Sequence, residues 1–169
     1  MRTVTVLGAG SWGTALAVHL GRVGHDVRLW ARDPALVAEM SVHRANGVYL
    51  PDVAFPESLS VTHALADALR DAELVVSAVP SHGCRAVMRR AIPSMAAGAV
   101  IVSATKGLEA GTLLRMSEVI GQEAGATHPV VVLSGPSFAI EVARQLPTAV
   151  LAASHDAAAI ALEIGRAHV

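Results

Sequence analysis

The stretch Thr3-Val4-Thr5-Val6-Leu7-Gly8-Ala9-Gly10-Ser11-Trp12-Gly13-Thr14-Ala15-Leu16-Ala17-Val18 decides the fold. Thr3 to Leu7 is β-branched and apolar, Ser11 to Val23 is rich in alanine and leucine, and Asp26 to Ala31 is apolar again. The order is strand, helix, strand, with a glycine-rich turn joining the first two. Gly8 permits the tight turn, Gly10 removes a side chain that would hold a pyrophosphate away from the backbone, and Gly13 lets the helix pack closely on the strand. The unpaired N–H groups and positive dipole end of a helix starting near Ser11 then face the phosphates. A G-x-G-x-x-G run alone is a weak signal. Its position between a strand and a helix predicts a dinucleotide site at Gly8, Gly10 and Gly13.

Outward from this motif the same alternation repeats. Helical patterns fall at Pro34 to Arg44, His63 to Asp71, Gly83 to Met95 and Leu113 to Ala124, and strand-like runs at Leu74 to Val79, Ala99 to Ala104, Val130 to Leu133 and Ala149 to Ala152. The strand runs are short and apolar throughout, as in strands covered on both faces. The predicted fold is therefore α/β, Rossmann-like, with a doubly wound and mostly parallel sheet. Asn46 to Ser58, with two prolines and little periodicity, reads as a long surface loop and a candidate to line a site. Residues 1–162 read as one dinucleotide-binding domain, and no second, substrate-holding domain follows, so the chain reads as truncated. Glu163 to Val169 continue no element and resemble the translation of a sequencing-library adapter, which predicts a non-native tail.

Composition excludes several classes. Thirteen basic against 14 acidic residues leave a net charge of -1, without the basic field that nucleic-acid binding requires. No apolar run approaches the roughly 20 residues needed to span a bilayer, and the short apolar start lacks the form of a signal peptide. Cys84 is the only cysteine, which fits a reducing compartment and a cytoplasmic location. The eight histidines show no metal-ligand spacing, so no metal is expected. Ser81-His82 and Cys84 lack the elbow or activation of a nucleophile, and Cys84 reads as a small apolar filler.

Three further places carry chemistry. After the second strand comes Trp30-Ala31-Arg32-Asp33, where an acidic residue would bind the ribose of NAD and an arginine the 2′-phosphate of NADP. Arg32 favours NADP and Asp33 keeps NAD open. Twelve arginines accompany one lysine, Lys106, in Ser103-Ala104-Thr105-Lys106-Gly107-Leu108-Glu109. Its retention points to chemistry that needs a compact ammonium, at the carboxyl edge of a buried strand. Ser134-Gly135-Pro136-Ser137-Phe138-Ala139 follows another such strand and offers donors for an oxyanion or phosphate.

Taken together, Gly8 to Ala15, Val79-Pro80-Ser81, Ala104 to Gly107 and Ser134 to Ala139 resemble the prokaryotic-type NAD(P)-dependent glycerol-3-phosphate dehydrogenases; Tyr49-Leu50-Pro51 and Leu146-Pro147-Thr148 add to the likeness. The resemblance implies an oxidoreductase that transfers a hydride between NAD(P)H and dihydroxyacetone phosphate to give sn-glycerol 3-phosphate for glycerophospholipid synthesis. It implies that Ser11, Trp12, Arg32, Lys106 and Ala139 contact NADP or NAD, and that Lys106, Gly135 and Ser137 hold the small phosphorylated substrate. The family's principal acid/base lysine lies in a helical C-terminal domain, so no catalytic residue is assigned here and the fragment alone is expected to be inactive. A homodimer is the candidate assembly of the full-length protein. A related two-domain hydroxy-acid or sugar dehydrogenase, or a non-catalytic dinucleotide-binding module, would share the glycine loop without the Lys106 and Ser134 to Ala139 pairing.

Overall fold

The computed structural model describes residues 1–156 and Ala159. The expected tail at Glu163 to Val169 lies outside the described residues. In chain order the elements are β1 (Thr3–Leu7), α1 (Ser11–Arg22), β2 (Asp26–Trp30), α2 (Pro34–His43), β3 (Ala45–Asn46), β4 (Leu50–Ala54), β5 (Leu59–Thr62), α3 (Leu65–Leu69), β6 (Leu74–Ser77), α4 (Ser81–Ala91), a single 3-10 turn (Ile92–Ser94), β7 (Val100–Ser103), α5 (Met116–Ala124), β8 (Val130–Ser134), α6 (Ala139–Ala143) and β9 (Leu151–Ser154).

Among the described residues, seven strands form one sheet in the order β5-β2-β1-β6-β7-β8-β9. All neighbours are parallel except β8 and β9. The order reverses between β1 and β6, which opens a crevice outside their carboxyl ends, the place where open α/β sheets take ligands. Alternate residues of each strand feed separate cores on the two faces. Val4, Val6, Val76, Val100 and Val102 pack with Ala15 to Val18 of α1 and Ala143 of α6. Leu7, Val75 and Ile101 pack on the opposite face with Leu69, Met88, Val119 and Ile120. The uniformly apolar strands of the sequence are thus explained by helices on both sides of the sheet.

Helix ends follow local chemistry. Asp33 accepts a hydrogen bond from the Ala35 amide at 2.9 Å and caps α2, with Pro34 at its first position. Glu118 reaches back to the Arg115 amide at 2.9 Å to start α5.

Several expectations need correction. Asn46 to Ser58 is not a surface loop. It contains β4, paired antiparallel to β3 in a two-stranded hairpin, and Asn46, Leu50, Val53 and Phe55 are buried. Pro51 and Asp52 face outward and interrupt the apolar alternation that would have revealed the strand. The parallel edge strand β5 follows at Leu59–Thr62, in a segment with no expected element. The run at Ala149 to Ala152 is a strand shifted to Leu151–Ser154, antiparallel and only partly covered, so the buried parallel pattern does not extend to it. The helix expected from Leu113 begins at Met116, because Leu113 takes a left-handed backbone with φ 57°. That expected at His63 to Asp71 shrinks to Leu65–Leu69, and α4 starts at Ser81 and ends in a 3-10 turn.

Candidate functional site

The turn after β1 is built at backbone contact. Gly8 has φ 109°, and a Cβ there would stand 2.8 Å from the Ala78 carbonyl oxygen at the end of β6. A Cβ on Gly13 would stand 1.9 Å from the Gly8 carbonyl oxygen. These two positions have no room for any other residue, and they seat α1 directly against the sheet edge. Gly10 differs, because nothing lies within 4 Å of the position its Cβ would take. The first turn of α1 has no side-chain cap and no acidic residue. Its orphan N–H groups, and a helix end carrying roughly half a positive charge, face open space.

That space is a cleft of about 400 Å³ with four walls, each following a parallel strand. Gly10, Ser11 and Trp12 follow β1; Ala78, Val79 and Pro80 follow β6; Ala104, Thr105 and Lys106 follow β7; Ser137, Phe138 and Ala139 follow β8. The cleft thus gathers six of the expected site residues, Gly10, Ser11, Trp12, Lys106, Ser137 and Ala139, from distant parts of the chain. The Lys106 ammonium stands 5.7 Å from the centre of the Trp12 ring, within cation–π range. Among the described residues it has no carboxylate partner, which leaves its charge available to an anion. Beneath it, Thr105 Oγ1 and Ser77 Oγ share a hydrogen bond of 3.0 Å.

The other expected residues lie elsewhere. Gly8 and Gly13 form the floor of the turn. Gly135 does not line the cleft; with φ 144° it passes so close to the segment leading into β9 that a Cβ would meet the Ala149 carbonyl oxygen at 2.5 Å. It lets the Ser137 segment turn toward the cleft, and Ser137 Oγ makes only a long 3.4 Å bond to the Gly135 carbonyl. Arg32 is exposed beyond the end of β2, without an ion pair or hydrogen bond among the described residues. Asp33 has one carboxylate oxygen occupied by the α2 cap, and its other oxygen accepts no hydrogen bond among the described residues. Cys84 is buried, and burial pushes its thiol pKa up, as befits an unreactive filler. Among the described residues no three His, Cys, Asp or Glu side chains converge as metal ligands. Among the same residues no helix is long and apolar enough to cross a membrane.

Sequence reasoning missed Asn46. Its buried amide donates to the Ala9 carbonyl and to Thr14 Oγ1, each at 2.9 Å, while its oxygen accepts from the Tyr49 amide at 3.1 Å. Ser11 Oγ donates to the Tyr49 carbonyl at 2.5 Å. The β3-β4 hairpin is thereby bolted to the glycine turn. The dipeptide Asn46-Gly47, a strong turn signal, could have exposed this hairpin.

A glycine turn closing on backbone, an uncapped helix start and a cleft at the strand-order reversal define a class: a dinucleotide-binding α/β protein of the doubly wound type. Residues 3–160 match the family model described as NAD-dependent glycerol-3-phosphate dehydrogenase N-terminus. The chain is 46% identical over 159 residues to a glycerol-3-phosphate dehydrogenase [NAD(P)+] of Koribacter versatilis, covering 92% of this chain and 47% of that protein. It is 49% identical over 151 residues to the protein of the same name from Thioalkalivibrio sulfidiphilus, covering 89% of this chain and 45% of the relative. The crystal structure of glycerol-3-phosphate dehydrogenase from Coxiella burnetii superposes with a TM-score of 0.93 at 41% identity, over 99% of this chain and 51% of that one. The chain belongs to this family, as its N-terminal, dinucleotide-binding part. It spans about half the length of the curated relatives it matches.

Proposed function

We propose that residues 1–162 supply the dinucleotide-binding half of an NAD(P)-dependent glycerol-3-phosphate dehydrogenase. The whole protein interconverts dihydroxyacetone phosphate and sn-glycerol 3-phosphate in the cytoplasm, for glycerophospholipid synthesis. The observation that carries this reading is the meeting of Lys106 with Trp12 in a cleft walled by the glycine turn and by Ser137 to Ala139. The cleft fits a dinucleotide on its own terms, with open space before Gly10, an uncapped helix start and an ammonium that has no carboxylate partner among the described residues.

When bound, the dinucleotide supplies the hydride. The chain's own residues bind and orient. Gly8, Gly10 and Gly13 shape the turn on which Ser11 and Trp12 present N–H groups to the pyrophosphate, and Arg32 meets the 2′-phosphate of NADP. Lys106 offers its ammonium to both cofactor and substrate, Ser137 holds the substrate with Gly135 serving it through the turn that it permits, and Ala139 stands beside the cofactor. Apolar Val79, Pro80 and the Trp12 ring keep water from the reacting atoms, which strengthens every charge inside the cleft. The acid/base lysine comes from a helical domain beyond these residues. Phe138 (67% exposed), Ile140, Leu146 and Leu151 (73% exposed) lie open on the β8-β9 side and are the surface that such a domain would cover. A homodimer is the assembly proposed for the full-length protein.

Titrating the purified 169-residue chain with NADPH and NADH, followed by nucleotide fluorescence, tests the reading. Saturable binding is expected, without dihydroxyacetone phosphate-dependent NADPH oxidation. Removal of a positioned acid/base costs about 10²- to 10⁴-fold, and lost alignment adds to it. Failure to bind either nucleotide at millimolar concentration would overturn the binding role, and turnover near that of an intact family member would place the acid/base group inside this chain.

A further inference from the structure

Ser81, Arg85 and Arg89 recur at four-residue spacing and share one face of α4. That face meets the segment that follows β7. Gly107, with φ 106°, packs so closely there that a Cβ would stand 3.3 Å from Ser81 Oγ. One helical turn on, Arg85 Nε and Nη2 donate to the two carboxylate oxygens of Glu109 at 2.6 and 2.8 Å. The remaining Arg85 donors reach Glu123 and Gln122 of α5, each at 2.8 Å. Arg89 donates to both oxygens of Glu123 at 3.0 and 2.9 Å. Thr112 Oγ1 adds a third bond to the Glu109 carboxylate at 2.7 Å.

Lys106 lies in this segment, outside any helix or strand. Thr105, before it, is tied to Ser77 at the end of β6; Glu109, after it, is tied to Arg85. We propose that Arg85 is a positioning residue: by gripping Glu109 it fixes the segment 105–109 so that the Lys106 ammonium stands over Trp12 at the cleft, prepared for a phosphate-bearing ligand. The inference rests on the role proposed above for Lys106. A guanidinium suits this place because its planar fork grips Glu109 through two nitrogens while also reaching Glu123 and Gln122, whereas a lysine at position 85 would offer its three donors from a single nitrogen and lose the bidentate grip. The gain is preorganisation, since a loose segment would lose its conformational freedom only on binding and weaken affinity by that amount.

Because Lys106 is the only lysine, a chain labelled with [¹³Cε]lysine gives one side-chain signal, and the Trp12 ring current is expected to displace it from the position of free lysine. In Arg85→Met that signal is expected to return toward the free position, as it should in Trp12→Leu. NADPH affinity should fall about three- to tenfold, the size of coupling between residues of one network. In a Lys106→Met background the same change should cost less than about twofold. Arg115→Met, which breaks the separate pair with Glu118, should lower the melting temperature without moving the signal. An unmoved signal in Arg85→Met, or an affinity loss that persists undiminished in Lys106→Met, would overturn the inference. Unchanged NADPH binding by Lys106→Met alone would instead overturn the role of Lys106, and the signal position would still decide whether Arg85 places it. Should Arg85→Met fail to fold, Glu109→Gln carries the same test, because it weakens the grip and leaves Arg85 paired with Glu123.

Discussion

The wall of the cleft formed by Gly8 to Gly13 is set by backbone atoms in contact, whereas the wall formed by Lys106 is set by charged side chains reaching across from neighbouring helices. Backbone contact tolerates almost no change, because a peptide unit cannot rotate out of the way. Charged side chains tolerate more, since solvent and alternative partners absorb part of any loss. The first wall should therefore fail abruptly and the second by degrees.

Gly13→Ala is the sharpest way to break the comparison. Inside an ordinary helix this change stabilises by up to about 1 kcal/mol. Here the new methyl carbon would lie 1.9 Å from a carbonyl oxygen, so the expected sign reverses. A loss of about 3 kcal/mol, at the upper end for overpacking, should appear as a lower melting temperature together with loss of NADPH binding. A stabilised variant that binds normally would show that the turn is plastic.

Asn46→Ala comes next. It leaves the buried Ala9 carbonyl, Thr14 hydroxyl and Tyr49 amide without their partner, at a cost of about 1 to 3 kcal/mol by denaturant unfolding. Arg32→Ala should leave stability unchanged, because the side chain has no partner among the described residues. It should narrow any preference for NADPH over NADH by about tenfold or more, the worth of one charged hydrogen bond, read by calorimetry. An unchanged ratio of affinities would show that Arg32 is not the discriminating group.

The gentlest test is of the charged wall by acid. Hydrogen bonds from Arg85, then from Thr112, hold Glu109 down at about 2, and hydrogen bonds from Arg115 hold Glu118 at about 2. A carboxylate lowered in the folded state stabilises fully above its unfolded value near 4.5, and that contribution disappears as pH falls through the folded value. Melting temperature should therefore decline between pH 4.5 and 2, with a shallower decline in Glu109→Gln. Equal slopes for parent and variant would remove Glu109 from the account.

The same contrast explains what the sequence revealed. Glycine spacing beside an apolar strand reports backbone geometry directly, so β1, α1 and β2 were legible to within a residue or two. Lys106 stood out because a single ammonium among twelve arginines is a compositional anomaly. Arg85 did not, since it is one arginine of many and its partners Glu109 and Glu123 lie far along the chain. The β3-β4 hairpin was hidden for another reason: Pro51 and Asp52 break the apolar alternation on the exposed side, and only the fold shows that Leu50, Val53 and Phe55 cover α1. Gly135 was expected to hold substrate; what its glycine identity serves in the fold is a close approach to the chain itself at Ala149.

The central position of β1 governs the order in which the molecule can be made. Its first neighbour, β2, arrives after a single helix, but its other edge pairs with β6, and the Thr3 to Glu73 contact beside that pairing spans 70 residues. Arg22, at the end of α1, bonds to the Ala143 carbonyl 121 residues away. A chain emerging from the ribosome must therefore hold one flank of its earliest strand uncovered until β6 has been synthesised, and one side of its earliest helix uncovered until α6 has been. Loop closure on that scale is slow for parallel pairings and leaves an apolar edge accessible meanwhile. Refolding in the test tube should be slower than for a helical protein of equal length, and recovery should fall as chain concentration rises.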